Sequence, residues 1–242
     1  MTEPNPQDEG LSAHEIAVAL TPFDTPSIAN AIEAFGVELR NEGYIRDSVR
    51  CLAPDLPPSV GYAFTLRVRS SSPPPLVGKS RYIDRTDWWE ELDRIPRPRI
   101  LVIEDADKQP GAGAFIGSLH AEILSALGCV AAVTNGAVRD LPEAAALGFQ
   151  LFAGHVSVSH AYTHVVASGV PVKIDGLEIR PGDLLHGDVH GVIRVPGRIA
   201  ADLPAMASRM QREEGDIIRF CRSGAFSLGG LREVLKNPDQ KI

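Results

Sequence analysis

Apolar and polar residues alternate along "YAFTLRVRS" (Tyr62–Ser70), and that period of two predicts a strand with one covered face. "ILVIEDA" (Ile100–Ala106) is instead a continuous apolar run ending in acids, the profile of a strand buried on both faces. Downstream, "AFIGSLHAEILSALG" predicts a helix ended by Gly128, "CVAAVTNG" a second buried strand, "LPEAAALG" a helix stopped by Gly148, and "FQLFAGHVS" another strand. Strand, helix, strand, helix, strand in succession predicts parallel βαβ units within an α/β layer.

The flanks differ. "LSAHEIAVALTPF" predicts a short helix whose apolar positions are Leu11, Ile16, Val18 and Leu20. "DTPSIANAIEAFG" predicts a second, with Thr25 as its cap, Pro26 in its first turn and Gly36 as its end. A Ser/Pro loop over Ser70–Ser80 precedes a short helical stretch carrying Trp88 and Trp89. Beyond Val170 short alternating segments are broken by "DG", "PGD" and "HG", which predicts hairpins, some of them antiparallel. Arg198–Gly224 then carries a long helical pattern. Residues 1–10 are polar and expected to form a disordered tail, and 11–242 to form one domain with a helical N-terminal part and a C-terminal helix.

Composition narrows the function. The chain has 242 residues, 44% of them hydrophobic, enough for a large core. Its formal net charge of -7 and the lack of a basic run argue against binding a nucleic-acid backbone. Three widely spaced cysteines, Cys51, Cys129 and Cys221, form no CxxC pair, so neither a disulfide framework nor a zinc knuckle is expected. The first residues lack a signal-peptide pattern and no apolar run is long enough for a membrane span, so a soluble cytoplasmic protein without membrane association is expected.

Three groups of residues carry candidate chemistry. In "GAFIGSLHAE" (Gly113–Glu122) a Gly-containing turn opens into a helix, whose free amides and dipole suit a carboxylate or phosphate; an ordinary βα turn has the same spacing. In "TNGAVRDLPE" (Thr134–Glu143) Arg139 and Asp140 close a buried strand. Arg139 can grip a carboxylate and Asp140 can hold a divalent cation, while Asp140 is equally placed to cap the helix that follows. His155, His160, His164, His186 and His190 form the third group. His160 and His164 are four apart and would share a face if helical, but no HExxH pattern surrounds them, and substrate contact or an interface suits one or two of these histidines better than zinc. Asp183 and Asp188 at Gly-rich turns are expected to cap or form Asx turns. No GxSxG elbow, P-loop or GxGxxG follows a strand, which removes serine hydrolases and nucleotide binders.

The stretch "GSLHAEILSALGCVAAVTNGAVRDLPEAAALGFQLFAG", followed by "PVKIDGLEIRPGDLLHGDVHGVIRVP", resembles the RraA-like family, over roughly Tyr62–Gly224. That family includes aldolases of 4-hydroxy-4-methyl-2-oxoglutarate, which also decarboxylate oxaloacetate, and regulators that bind a ribonuclease. The resemblance implies an α/β fold, a three-layer swivelling β/β/α-type domain with mixed sheets, flanking helices and a long C-terminal helix. It implies a homotrimer or a dimer of trimers with sites between subunits, and a Mg²⁺- or Mn²⁺-dependent lyase that turns a 2-keto acid into a pyruvate enolate. Carried onto this chain, the substrate sits on Gly117, Ser118, Leu119 and His120, with Arg139 on its carboxylate. In chemistry of that kind a metal-bound water or a histidine, for which His120 is the candidate, moves the proton. Asp140 anchors the metal, and a neighbouring subunit's C-terminal helix completes its shell with Glu214, or else Glu213. The aldolases carry an acid directly after the helix-opening Gly, where this chain has Ser118. That departure keeps two other readings open: a non-catalytic regulator, and a metal-dependent hydrolase or isomerase of a related keto acid.

Overall fold

The computed structural model describes residues 11–46, 48–74 and 87–236. The predicted tail, most of the Ser/Pro loop and residues 81–86 lie outside that range. Two short helices open the described chain, α1 (Ala13–Leu20) and α2 (Thr25–Phe35). A reciprocal Ser12–Glu15 capping box starts α1. The cap of α2 is Asp24, whose carboxylate accepts from the Ser27 amide, and not Thr25, which is already inside the helix with Pro26 behind it. Leu11 and Val18 are exposed, and α1 buries Ala17 and Leu20 instead.

The strands are β1 (Arg50–Cys51), β2 (Ser59–Arg69), β3 (Arg99–Asp105), β4 (Ala114–Ile116), β5 (Cys129–Val138), β6 (Gln150–Val156), β7 (His164–Ser168), β8 (Val172–Ile174), β9 (Leu177–Ile179), β10 (Leu184–Asp188) and β11 (Gly191–Val195). The remaining helices are α3 (Asp87–Asp93), α4 (Ser118–Ala126), α5 (Leu141–Ala146), α6 (Leu203–Arg222) and α7 (Leu228–Leu235). Strands β2, β3, β5 and β6 run parallel at the centre of a mixed sheet of order β1-β6-β5-β3-β2-β10-β11. Strands β1, β10 and β11 are antiparallel to their neighbours, β4 pairs with β5, and β7 pairs with the far end of β2. The hairpin β8–β9 is a second, small sheet.

Strand periodicity divides the interior. Phe64, Leu66, Leu101, Ile103 and Ala132 face one way and pack with α3, α4 and α5. Their alternates Ala63, Ile100, Val102, Ala131 and Val133 face the other way and are covered by Val172, Ile174 and Ile179 of the hairpin. A third cluster joins α1, α2 and α6 over β10 and β11. The result is helices on a mixed sheet on a small sheet, the three-layer α/β arrangement with a long C-terminal helix that the resemblance implies.

Two segments depart from the sequence reading, and a third settles a conditional one. Ala114–Ile116 is a strand, so the predicted helix begins only at Ser118. His164–Ser168 is a strand, so the condition under which His160 and His164 would share a helix face is not met. The long helix begins at Leu203, with Pro204 in its first turn, after a 3₁₀ turn over Gly197–Ile199, and it ends at Arg222 rather than Gly224.

Candidate functional site

Parallel pairing puts the carboxyl ends of β3 and β5 on one edge, where open α/β sheets hold ligands. There β4 lies alongside the end of β5, with Ala114 opposite Ala137 and Ile116 opposite Val138. The Arg139 amide donates to the Ile116 carbonyl at 2.9 Å, extending the pairing one residue further. Gly117 and the first turn of α4 are thereby drawn against Arg139 and Asp140.

The contact is close. A Cβ on Gly117 would stand 2.7 Å from Asp140 Oδ2 and 3.0 Å from Arg139 Nε, so only glycine leaves room for both side chains. Asp140 has the left-handed backbone (φ 55, ψ 48) that aspartate tolerates better than most residues. Its carboxylate does not cap α5. Oδ2 accepts instead from the Ser118 amide at 2.9 Å and the Ser118 hydroxyl at 3.1 Å, occupying the N-terminus of α4. The Ser118 amide, then its hydroxyl and the Arg139 charge, hold the Asp140 carboxyl below the usual carboxylate range. Arg139 Nε lies 3.7 Å from Oδ2, with both side chains more than a third exposed.

These groups edge a cavity of about 310 Å³. Gly117, Ser118, Leu119, His120, Arg139 and Asp140 all line it, so one pocket gathers every candidate placed at the Gly-led turn and the strand end. Trp88, Trp89, His160 and Thr163 line it as well. Two further wall residues, Phe115 and Val165, escape the sequence reading because both sit on the short strands β4 and β7. The alternation of "AFI" and "HVV" is too brief to separate from a loop or a helix start.

His120 stacks on Phe115, ring centroids 5.2 Å apart and planes 14° from parallel. Burial first, then the Arg139 charge, push its imidazole below the usual histidine range against an opposing contact with the Phe115 backbone. It is therefore a neutral ring at pH 7, able to accept a proton. Glu213 and Glu214 lie elsewhere, on α6, which packs against α2 and lines no part of the cavity. Glu213 pairs with Arg209 at 2.7 Å, and Glu214 is exposed. Asp188 is structural: its carboxylate accepts from the amides of Thr25 and His190, and Asp183 accepts from the Arg180 amide in a turn.

Among the described residues no three His, Cys, Asp or Glu side chains converge to hold a metal. Asp140 is the one carboxylate among the described residues of the cavity wall. Both its side-chain hydrogen bonds from Ser118 fall on Oδ2, which leaves Oδ1 for a cation. Magnesium keeps several waters and takes one or two carboxylates, so Asp140 fits one position in such a shell. Water, ligand or a second copy must fill the others.

The family model described as RraA-like, Aldolase/RraA, matches residues 25–194. The chain belongs to the RraA-like family. A relative from Halalkalibacterium halodurans, provisionally named a 4-hydroxy-4-methyl-2-oxoglutarate aldolase, is 30% identical over 142 residues, 58% of this chain and 67% of its own. Among solved structures, an uncharacterized protein from Pseudomonas syringae matches with a TM-score of 0.69 at 22% identity, over 96% of this chain and 99% of the other. An unusual member of the RNase ES inhibitor RraA protein family from Streptomyces coelicolor matches with a TM-score of 0.64 at 20% identity, over 88% of this chain and 99% of its own. At these identities the two structures share the RraA-like fold and carry nothing about activity. The family thus includes aldolase and RNase-inhibitor names, and no described helix is long and apolar enough to cross a membrane.

Proposed function

We propose that this RraA-like chain is a carbon–carbon lyase that cleaves or decarboxylates a 2-keto acid, of the 4-hydroxy-4-methyl-2-oxoglutarate or oxaloacetate type, with Mg²⁺ or Mn²⁺ as cofactor. The observation that carries this is the convergence of the Arg139 guanidinium, the Asp140 carboxylate and the first turn of α4 on one cavity. Arg139 binds the substrate carboxylate and contributes positive potential beside it. The Gly117–His120 turn seats the keto-acid head. Asp140, assisted by a glutamate of a neighbouring copy's C-terminal helix, would hold the cation, and Glu214 is the candidate. The cation supplies positive charge where negative charge develops on the pyruvyl half. In retro-aldol cleavage the C4 hydroxyl gives up its proton, the C3–C4 electron pair moves onto the pyruvyl half as an enolate, and C3 then takes a proton. His120 would carry that proton, a role supported by its place on the cavity wall.

The assay is turnover of oxaloacetate and of 4-hydroxy-2-keto acids with Mg²⁺ or Mn²⁺, with and without EDTA. Expected are loss of activity on chelation and a fall of roughly a hundredfold or more for Arg139→Ala, because electrostatic stabilisers of this kind carry several kcal/mol. Activity indifferent to both EDTA and Arg139→Ala rejects the proposal. One observation favours a second reading. Ser118 spends two donors on Asp140, where the aldolases present a second acid. A chain without turnover that captures a purified ribonuclease would be a regulator.

A further inference from the structure

Proton transfer by His120, the part of the lyase reading on which this inference rests, depends on how the imidazole is turned. The lone pair of a ring nitrogen lies in the ring plane, so a proton is taken or given only along that plane. The side-chain torsion that sets the plane has a broad well and selects no direction by itself. A neighbouring group has to select it.

Phe115 is that neighbour. Its ring stacks on the imidazole, centroids 5.2 Å apart and planes 14° from parallel, and its backbone contacts the imidazole as well. The meeting depends on where the helix starts. On one continuous helix, positions 115 and 120 would point about 140° apart. Ala114–Ile116 is instead a strand and α4 begins at Ser118, so the chain turns at Gly117 and brings the two rings face to face.

Phe115 is itself held in place. Strand β4 buries Ala114 and Ile116 and leaves Phe115 on its other face, half-buried. The Ala114 amide donates to the Ser159 carbonyl at 2.9 Å, and the Ile116 carbonyl accepts from the Arg139 amide at 2.9 Å, so the backbone is tied on both sides of Phe115. Behind the ring, Trp88 tilts against Phe115 at 6.3 Å and stacks on Phe64 at 6.3 Å with planes 12° apart. Trp88 and Phe64 belong to the core, so the plane of His120 is set by a row of rings that begins there. The bond from Arg139 ties the same short strand to the residue that grips the carboxylate. We propose that Phe115 is a positioning residue: although it lines the cavity, it acts on turnover through His120, by holding the imidazole in the plane from which the proton moves.

The test is a double-mutant cycle on the full chain with Mg²⁺, reading kcat and KM for oxaloacetate and 4-hydroxy-4-methyl-2-oxoglutarate. Phe115→Leu is expected to lower kcat roughly two- to tenfold, the worth of one aromatic pair, with KM within about twofold of the parent. Phe115→Tyr keeps the stack and should keep the rate. In a His120→Gln background Phe115→Leu should lower kcat no further, because the ring it positions is gone. Equal losses in the two backgrounds overturn the proposal. So does an unchanged kcat, or a raised KM at unchanged kcat, which would make Phe115 a substrate contact. Parental turnover in His120→Gln overturns it too and leaves the roles of Arg139 and the cation standing. A parent that turns over neither acid rejects the lyase reading itself. NMR reads the stack apart from activity: the Phe115 ring should shift the imidazole C–H signals of His120 upfield, and Phe115→Leu should move them back. Should Phe115→Leu not fold, Phe115→Met takes its place in the cycle, and unshifted His120 signals in the unaltered chain overturn the proposal without any variant.

Discussion

Asp140 holds the Ser118 turn through its shape, the proposed hold on a cation would act through its charge, and substitution can pull the two apart. Its carboxylate accepts two hydrogen bonds from Ser118 at 2.9 and 3.1 Å, which satisfy a free amide at the start of α4. Hydrogen bonds to a charged group contribute about 1.5–3 kcal/mol each when buried. The side chain is 36% exposed, so the pair together is worth about 2 kcal/mol after solvent screening. Asp140→Ala loses both and puts an alanine at φ 55, which adds about 1 kcal/mol. For a chain of this size each kcal/mol moves the melting temperature by about 2–4 °C, so Asp140→Ala should melt about 6–12 °C lower. Asp140→Asn keeps an oxygen for Ser118 and loses only the charge, and it should melt within about 3 °C of the parent. If the charge holds a cation, both variants should lose Mg²⁺-dependent turnover by roughly a hundredfold or more. Scanning calorimetry and turnover on the same preparations give the answer. An Asp140→Ala melt equal to the parent refutes the capping argument, and an Asp140→Asn variant with parental turnover refutes the metal role.

Gly117→Ala should fold, since the atoms its methyl meets belong to side chains and not to backbone, yet it must push Asp140 or Arg139 aside. Its expected signature is a keto-acid affinity at least tenfold weaker by calorimetric titration, with the melting temperature lowered only a few degrees, by about 1–2 kcal/mol of overpacking. His186 offers a pH test independent of any activity. It is fully buried on β10 with Nδ1 3.0 Å from the Thr25 hydroxyl, and burial, opposed by Asp188, holds its imidazole below the usual histidine range. The unfolded chain therefore binds a proton that the folded chain refuses. The resulting loss of stability begins as pH falls through about 6.5 and continues down to the lowered folded value. Chemical denaturation at pH 7.5 and pH 5.5 should show a drop at the lower pH that His186→Gln lacks; equal pH dependence in the two proteins would contradict this account.

Periodicity makes the centre of the fold readable because burial on a sheet follows the backbone's own repeat. "ILVIEDA" is apolar throughout because Ile100 and Val102 face the hairpin layer while Leu101 and Ile103 face the helices. Gly128 and Gly148 end their helices as expected, both at φ +78, the left-handed geometry that glycine adopts without cost. Strands of three to five residues carry too few alternations, so β4 merges with the helix after it and β7 has no signature of its own. Thr and Asp both serve as helix caps, so residue type alone does not choose between Thr25 and Asp24 at the start of α2. Only the backbone distinguishes them, with Asp24 extended and accepting from Ser27.

Local sequence locates the candidate site and leaves its internal wiring ambiguous for a physical reason. Asp140 precedes Pro142 and a helical stretch, the usual setting of a cap, and spacing along the chain points its carboxylate at α5. The pairing of β4 with β5 brings a competing helix start closer, and the carboxylate goes to Ser118, twenty-two residues earlier in the chain. Such a partner is set by tertiary structure alone. The same contact gives the Ser118 departure a meaning that motif spacing lacks. A serine here donates to Asp140, whereas a carboxylate would repel it, and unit charges about 4 Å apart repel by about 4 kcal/mol at an effective dielectric near 20, less at this exposure. The acid-bearing arrangement is therefore costly until a cation neutralises it, and the serine-bearing one is stable without a cation. In this chain the Ser118 amide and hydroxyl both donate to Asp140, so the turn carries no such repulsion.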